Sequence, residues 1–583
     1  MKILPTLYAT LCLASCPLFA MNAESPTEPI ALEMQMPSHE QDAGVVLRAL
    51  IRQAAENKQS TTINIPKGVY HFYPENAPEQ KIYISNHDQQ PTHRIGIPLQ
   101  GVRNLTLKGN GSTFVFHGKM LPVLLMDCSG VCISDINIAV DAPLAHEGRI
   151  VKIENDSVTM QFSSSPAWCV ENGKFTISGK DWKLAPNHAL GFRPDGAMLA
   201  HGLWGDMGWS FPAEQVSQNC VRFQTGDKWQ QYKLSVGDTL VLRNAWRPHP
   251  GMLLYRAEDT TLNNVVFHDS LGMALIAQRS KNIHINGGGC LRAPGRVHTT
   301  AADATHFSNC AGLILVENAT YEGMMDDAIN VHATCPAIVE ILSPTSFIAR
   351  YMHSQAYGFE IAAPGEKLQF IHGKTLENTT ECCEVEEVKV ISPKHILVNL
   401  KQPLPKGVRE GDAVENADWH PQVIFRNNTV RHNRARGALF TTPRPVLVEG
   451  NLFDHSSGSA ILLAGDAQGW YESGRCLDVC IRNNTFEHNL TALYQFTHAI
   501  ISICPEVRDP AAQRTRYHQN VRIEGNTFNT HRVPLLYAIS ASDVSFRNNK
   551  VNYTDRYPAS KKTEPFLLNY CEDMRLEAPA DKP

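Results

Sequence analysis

One short phrase, an asparagine turn after an alternating apolar stretch, recurs five times in the last third of this chain. It reads RNNTV (Asn428), EGNLF (Asn451), RNNTF (Asn484), EGNTF (Asn526) and RNNKV (Asn549). The steps from Asn428 to Asn451 and from Asn526 to Asn549 are both 23 residues. The copies are preceded by QVIF, PVLV, DVCI, NVRI and DVSF. The first half of the chain echoes them in NLTLKGNG (104–111), VCISDINI (131–138), NVVFHDS (264–270) and NIHINGGG (282–289). A fixed repeat constrains a fold more than any local propensity, because each unit buries its apolar face only against the next. A period in the low twenties, with short alternating strands and Asn/Gly turns, predicts an all-β chain wound as a right-handed parallel β-helix. Each coil would hold three short strands, stacked about 4.8 Å from the next coil. Asparagine suits the bends because it tolerates φ > 0, and stacked amides can bond along the helix.

A solenoid needs its open end covered. DAGVVLRALIRQAAEN (42–57) has helical periodicity, with Val45, Val46, Leu50, Ile51 and Ala54 as the apolar set, and predicts a capping helix. Two stretches break the period yet keep β alternation: 143–250, ending LSVGDTLVLR, and 333–420, containing APGEKLQFI and VREGDAVE. They read as two small β-barrel-like insertions at coil turns, where long excursions carry function; plain excursions of the solenoid are the alternative. The expected order is a leader over 1–23, cap and first coils over 24–142, the first insertion over 143–250 and central coils over 251–332. The second insertion over 333–420, C-terminal coils over 421–555 and a tail over 556–583 complete it.

The 583 residues suffice for more than one domain; 43% are hydrophobic and 19% charged, as in globular proteins. A formal net charge of −5 without a long basic run argues against nucleic acid as partner. After the N-terminal stretch nothing is long and apolar enough to span a bilayer. That stretch, Lys2 followed by ILPTLYATLCLASCPLFA, reads as an export signal. Cleavage near Ala20 or Ala23 is preferred over a lipobox at LASC that would leave Cys16 acylated. The expected location is therefore periplasmic, cell-surface or secreted. The remaining thirteen cysteines form no C-x2-C pair, so a cysteine zinc site is not expected, and buried thiols with one or two disulfides are.

The chemistry concentrates in YEGMMDDAINVHAT (321–334), where Asp326 and Asp327 are adjacent. Asp303, in HTTAADATHFSNC, precedes them by 23 and 24 residues, or one coil. The register would stack the three acids on one wall. Carboxyls so placed can diverge to roughly 6.5–9.5 Å, the window in which one acid protonates a glycosidic oxygen and another activates water from the opposite face. Crowding raises at least one carboxyl pKa and separates acid from base. A solvated aspartate turn is the alternative. His298, His306, Glu322 and His332 stand near, with Arg292 and Arg296 in CLRAPGRVH. His306, Glu322, His332, Arg292 and Arg296 are taken as candidates to hold sugar hydroxyls; structural roles compete. Indole rings stack on sugar faces, which makes Trp204 and Trp209 candidates; Trp246, Trp419 and Trp470 stand at excursion edges. There is no Walker loop, G-x-S-x-G elbow, H-E-x-x-H or clustered calcium loop.

EGMMDDAINVH, HTTAADATHFSNC and a β-helix with two β insertions resemble glycoside hydrolase family 110, over nearly the whole chain from residue 42 to about 555. The resemblance implies bacterial exo-acting removal of terminal α-1,3-linked galactose, with inversion and with neither metal nor cofactor. It implies the branched blood group B antigen as substrate and, in one subgroup, the linear α-1,3-digalactosyl epitope. The catalytic aspartates would be Asp303, Asp326 and Asp327, with Asp303 as acid and Asp326 or Asp327 as base. Partners would be carbohydrate only, with no nucleic acid and no membrane span, and a homodimer is entertained. Two rival readings remain: a polygalacturonase-like hydrolase or lyase, whose groove should be lined with basic residues, and a non-catalytic carbohydrate-binding surface protein.

Overall fold

The computed structural model describes residues 30–35, 41–57, 59–199, 206–492 and 497–579. The leader and Cys16 lie outside the described residues. The backbone winds as a right-handed parallel β-helix whose strands join in one large sheet. Three strands per coil pair in parallel register. Val423, Val446, Val479, Val521 and Val544 align on the first. Val430, Phe453, Phe486 and Phe528 align on the second. Ala438, Ile461, Ile501 and Leu536 align on the third. Alternation puts these side chains inside, where they stack on their own equivalents. The Phe453–Phe486 and Phe486–Phe528 ring centroids are 5.4 and 4.7 Å apart.

The recurrent turn divides its labour between two residues. The first of each pair, Asn427, Gly450, Asn483, Gly525 or Asn548, takes positive φ. The second forms the ladder. Asn451 Oδ1 accepts from the backbone N–H and Nδ2 of Asn428 at 2.9 and 3.1 Å. Asn484 does the same for Asn451, Asn526 for Asn484 and Asn549 for Asn526. Asn484 Nδ2 also donates to Val448 O at 2.9 Å. Asn484→Leu therefore strands two donors on Asn451 and one carbonyl. It is expected to cost about 3 kcal/mol, since a buried unmet group costs roughly 1–3 kcal/mol. Asn483→Gly keeps the left-handed turn and should cost under about 1 kcal/mol. Urea denaturation of the two variants checks this; equal losses would reverse the assignment.

Both insertions leave a continuous solenoid. Met252–Tyr255 pairs with Val123 to Met126, across the first insertion. Gln422–Arg426 pairs with Leu313 to Glu317, across the second. Between Ala145 and Arg243 lies a seven-stranded antiparallel sheet with a three-stranded one beside it, and between Ala337 and Asn416 six strands close into a barrel. Each has its own apolar core. The capping helix is Ala43–Glu56, with Asp42 as N-cap accepting from Gly44 N–H at 2.9 Å. Its buried face is Ala43, Leu47, Ile51 and Ala54, rotated from the apolar set read in the sequence: Val45 is exposed, and Val46 and Leu50 pack only partly. All thirteen described cysteines are unpaired, so the expected disulfides are absent among the described residues.

Candidate active site

Three successive coils build the site. Thr305 pairs with Ile329, and Ile329 with Ala438. The step of 24 stacks Asp303 on Asp327 rather than on Asp326, and Ala304 N–H donates to Asp327 O at 2.8 Å. The next coil sets Arg436 over Asp327, 109 residues along the chain because the second insertion intervenes. Arg436 donates its backbone N–H to Asp327 Oδ1 at 3.0 Å and Nη2–H to Oδ2 at 2.8 Å. One oxygen from each of Asp303, Asp326 and Asp327 lies within 4.8 Å of the others. The three meet because two acids share one stacking position and the third is its chain neighbour. Asp326 stands apart. It is the most exposed of the three, with 22% of its side chain accessible; its Oδ2 is 3.6 Å from Arg434 Nη1, and its Oδ1 has no hydrogen-bond partner.

A chain of contacts backs Asp303. His332 Nδ1 faces Ala333 O at 3.0 Å, and a nitrogen facing a carbonyl donates. Its Nε2 lies 2.7 Å from His306 Nε2. Burial, with His332 adding to it, keeps the His306 pKa well below 6.5 and that ring neutral. Its Nδ1 lies 2.7 Å from Asp303 Oδ2, within hydrogen-bond reach of the carboxyl. Burial, reinforced by the Asp326 charge, pushes Asp303 up to about 8, in line with a protonated acid at neutral pH. Burial also raises Asp327 well above 3.8; Arg436 opposes it, and the Asp326 and Asp303 charges add to it. Glu472 closes the chain 3.5 Å from His332 Nε2. Asn86 Nδ2–H donates to its Oε1 at 2.7 Å. Burial would raise Glu472, but His332, His306 and these donors hold it below the ordinary range.

The acids open into a cavity of about 290 Å³ with a cationic rim of Arg243, Arg247, Arg434 and Arg436. Arg434 is forked onto Asp206, with Nη2–H to Oδ2 at 2.7 Å and Nε–H to Oδ1 at 3.1 Å. Arg243, brought down to about 10 by burial, is 3.7 Å from the same carboxylate. Trp470 forms part of the wall, with the Arg247 guanidinium 5.6 Å from its ring. The first insertion contributes His188, Asp206 and Arg243; no residue between Ala337 and Asn416 lines the cavity.

Of the residues singled out in sequence, Asp303, Asp326, Asp327, His306 and Trp470 line the cavity. His332 lies behind His306 and orients it. Glu322 pairs with Arg431 at 2.7 Å and accepts from Arg292 N–H. Arg292 donates to Gly196 O at 3.2 Å. Arg296 pairs with Glu147 at 3.1 Å and with Asp269. Glu322, Arg292 and Arg296 therefore do not reach the pocket: a three-sided coil turns chain neighbours onto different walls. Trp209 is only 2% exposed, in the core of the first insertion. Trp204 lies outside the described residues. Trp246 and Trp419 sit beneath Lys119 and Arg279. Sequence reading passed over Arg434, Arg436, Arg243, Asp206, Glu472 and Asn330. RHNRARGAL (431–439) is legible as the coil after EGMMDDAIN only once the second insertion is excised.

Two groups here have ligand atoms within 4.8 Å of one another, the three aspartates and His306–His332–Glu472. In the second, both His306 nitrogens are already engaged. Hydrolysis by paired carboxylates asks only for water.

A β-helix that gathers three aspartates in a polar pocket, one of them with its pKa raised by burial, has the make-up of a glycoside hydrolase. The family models "GLAA-B beta-barrel domain I", "GLAA-B beta-barrel domain II" and "Right handed beta helix region" match residues 146–240, 346–414 and 413–557. "Alpha-1,3-galactosidase B" of Akkermansia muciniphila is 47% identical over 93% of this chain and 68% of its own length. Proteins of that name from Parabacteroides distasonis and Phocaeicola vulgatus are 39% and 37% identical, over 89% and 96% of this chain and 87% and 96% of theirs. The chain belongs to the alpha-1,3-galactosidases of glycoside hydrolase family 110.

Proposed function

We propose that the enzyme releases terminal α-1,3-linked galactose from fucose-branched blood group B type glycans and from linear α-1,3-digalactosyl ends, with inversion and without a metal. The observation that carries this is the convergence of Asp303, Asp326 and Asp327 in one cavity, with Asp303 buried against His306 and its pKa raised. The names of the relatives support the linkage. Asp303 is the acid: as the bond from C1 to the glycosidic oxygen breaks, its proton passes to that oxygen. Asp326 is the base. Two oxygens no more than 4.8 Å apart can share one water through bonds of about 2.7 Å each, so Asp326 and Asp327 together hold the attacking water. Its oxygen bonds to C1 from the far face and its proton goes to Asp326.

Incubation with B trisaccharide and with linear Galα1-3Gal, followed by NMR, tests the reading. Both should release galactose, and β-galactose should appear before mutarotation. α-Galactose formed first would mean that the crowded carboxyls work as nucleophile and acid. Turnover of the branched sugar alone would narrow the specificity, and release from neither would end the proposal.

A further inference from the structure

Outside the catalytic cavity, the next turns of the same helix carry a column of imidazoles. Arg431, Asp454 and Glu487 pair in register, so His432, His455 and His488, which follow them, stack on successive coils. All three take left-handed backbone, at φ 54°, 55° and 47°. The His432 and His455 ring centroids are 5.7 Å apart, and those of His455 and His488 5.3 Å. Asp454 reaches between the first two. Its Oδ1 meets His455 Nδ1 in a short hydrogen bond, and its Oδ2 is 4.0 Å from His432 Nε2. One ligand atom from each of His432, Asp454 and His455 lies within 4.8 Å of the others. His455 Nε2 and His488 Nδ1 are buried atoms without a partner. None of these residues lines the catalytic cavity.

The geometry points to a divalent metal site of the zinc class at His432, Asp454 and His455, with His488 beside it as a further imidazole. Two imidazoles and a carboxylate suit a borderline ion such as zinc. Donor atoms bound at about 2.0–2.1 Å stand roughly 3.3 Å apart around a tetrahedral ion, so the cluster closes by side-chain rotation alone. Of the nearby cations, Arg431 pairs with Glu322 at 2.7 Å and Arg556 with Asp195 at 2.9 Å, whereas the Arg292 side chain bonds to Gly196 O. Side-chain exposures of 16%, 25% and 11% for His432, Asp454 and His455 leave an entry path. The ion would clamp successive coils together without joining the hydrolysis.

Full-length protein stripped with chelator and titrated with zinc(II) by calorimetry, and with cobalt(II) by visible absorption, tests this. One equivalent should bind, cobalt should show ligand-field bands of nitrogen and oxygen coordination, and zinc should raise the melting temperature. Asp454→Asn and the double variant His432→Gln/His455→Gln should each weaken binding at least tenfold, while the galactosidase activity of Asp454→Asn stays at the wild-type level with and without chelator. His306→Gln should bind zinc as the wild type does. Loss of binding in His306→Gln but not in Asp454→Asn would move the ion to the catalytic pocket and overturn the assignment. So would wild-type protein that binds neither metal, a result independent of whether any variant folds.

Discussion

Asp303→Asn is expected to lower turnover of natural glycans by about 10²–10⁴-fold, the usual worth of a general acid, and at the same time to stabilise the protein near neutral pH. The second effect follows from the raised pKa. The folded chain keeps a proton on Asp303 up to about pH 8, whereas the unfolded chain gives it up near 3.8. Between those values the folded state binds the extra proton. The associated stability is complete below about pH 4 and is lost progressively as pH rises toward 8. At pH 7 the wild type has forgone about three pH units of ionisation at about 1.4 kcal/mol each, so the variant should gain roughly 2–4 kcal/mol there and almost nothing at pH 4. An asparagine side-chain amide can occupy the place of the carboxyl opposite His306 Nδ1 and keep a hydrogen bond there. Urea midpoints at pH 4.5 and 7.5 read the effect. An advantage of the same size at both pH values would show that Asp303 is not the proton carrier. Activity should separate in parallel: an aryl α-galactoside whose leaving group needs no proton should lose far less than the B trisaccharide, and the wild-type alkaline limb should lie near pH 8.

Asp326→Asn should be as damaging to turnover, by about 10²–10⁴-fold, but with a different signature. The base activates water whatever the leaving group, so loss on the aryl galactoside should match loss on the trisaccharide. Azide needs no deprotonation and should restore turnover, attacking C1 from the water side to give β-galactosyl azide. Stability should change little: Asp326 is the most exposed of the three, and Arg434 keeps its fork to Asp206. If Asp326→Asn instead spares the aryl substrate while Asp303→Asn responds to azide, acid and base are exchanged. The two variants measured on the same pair of substrates decide between the assignments.

Much of this architecture is legible in the sequence because a parallel β-helix writes its period into it. The turn asparagines and the valines before them occur where stacking demands them, and the 23-residue steps carry over into coil pairing. The meeting of Asp303 with Asp326 and Asp327 is legible for the same reason. The capping helix is legible only as a helix: its buried stripe is rotated from the sequence reading, since Leu47 rather than Val45 meets the coils below. The site partners fail differently. Arg292, Arg296 and Glu322 are near the motif in sequence and remote from the pocket in space. Arg436 is remote in sequence and bonded to Asp327. A coil brings together residues one turn apart and sends chain neighbours to other walls, and an insertion hides that rule behind dozens of residues.

By itself, then, the amino-acid order determined the solenoid, its repeat and the encounter of three acids, because regular stacking makes distance along the chain equivalent to distance in space. The tertiary structure alone decided the charge states: which carboxyl is buried against His306, which is clasped by Arg436 and which faces the cavity. Those are matters of dielectric and partner geometry, supplied by Asn86, Arg243, Arg436 and Glu472 from segments hundreds of residues apart, and no periodicity encodes them.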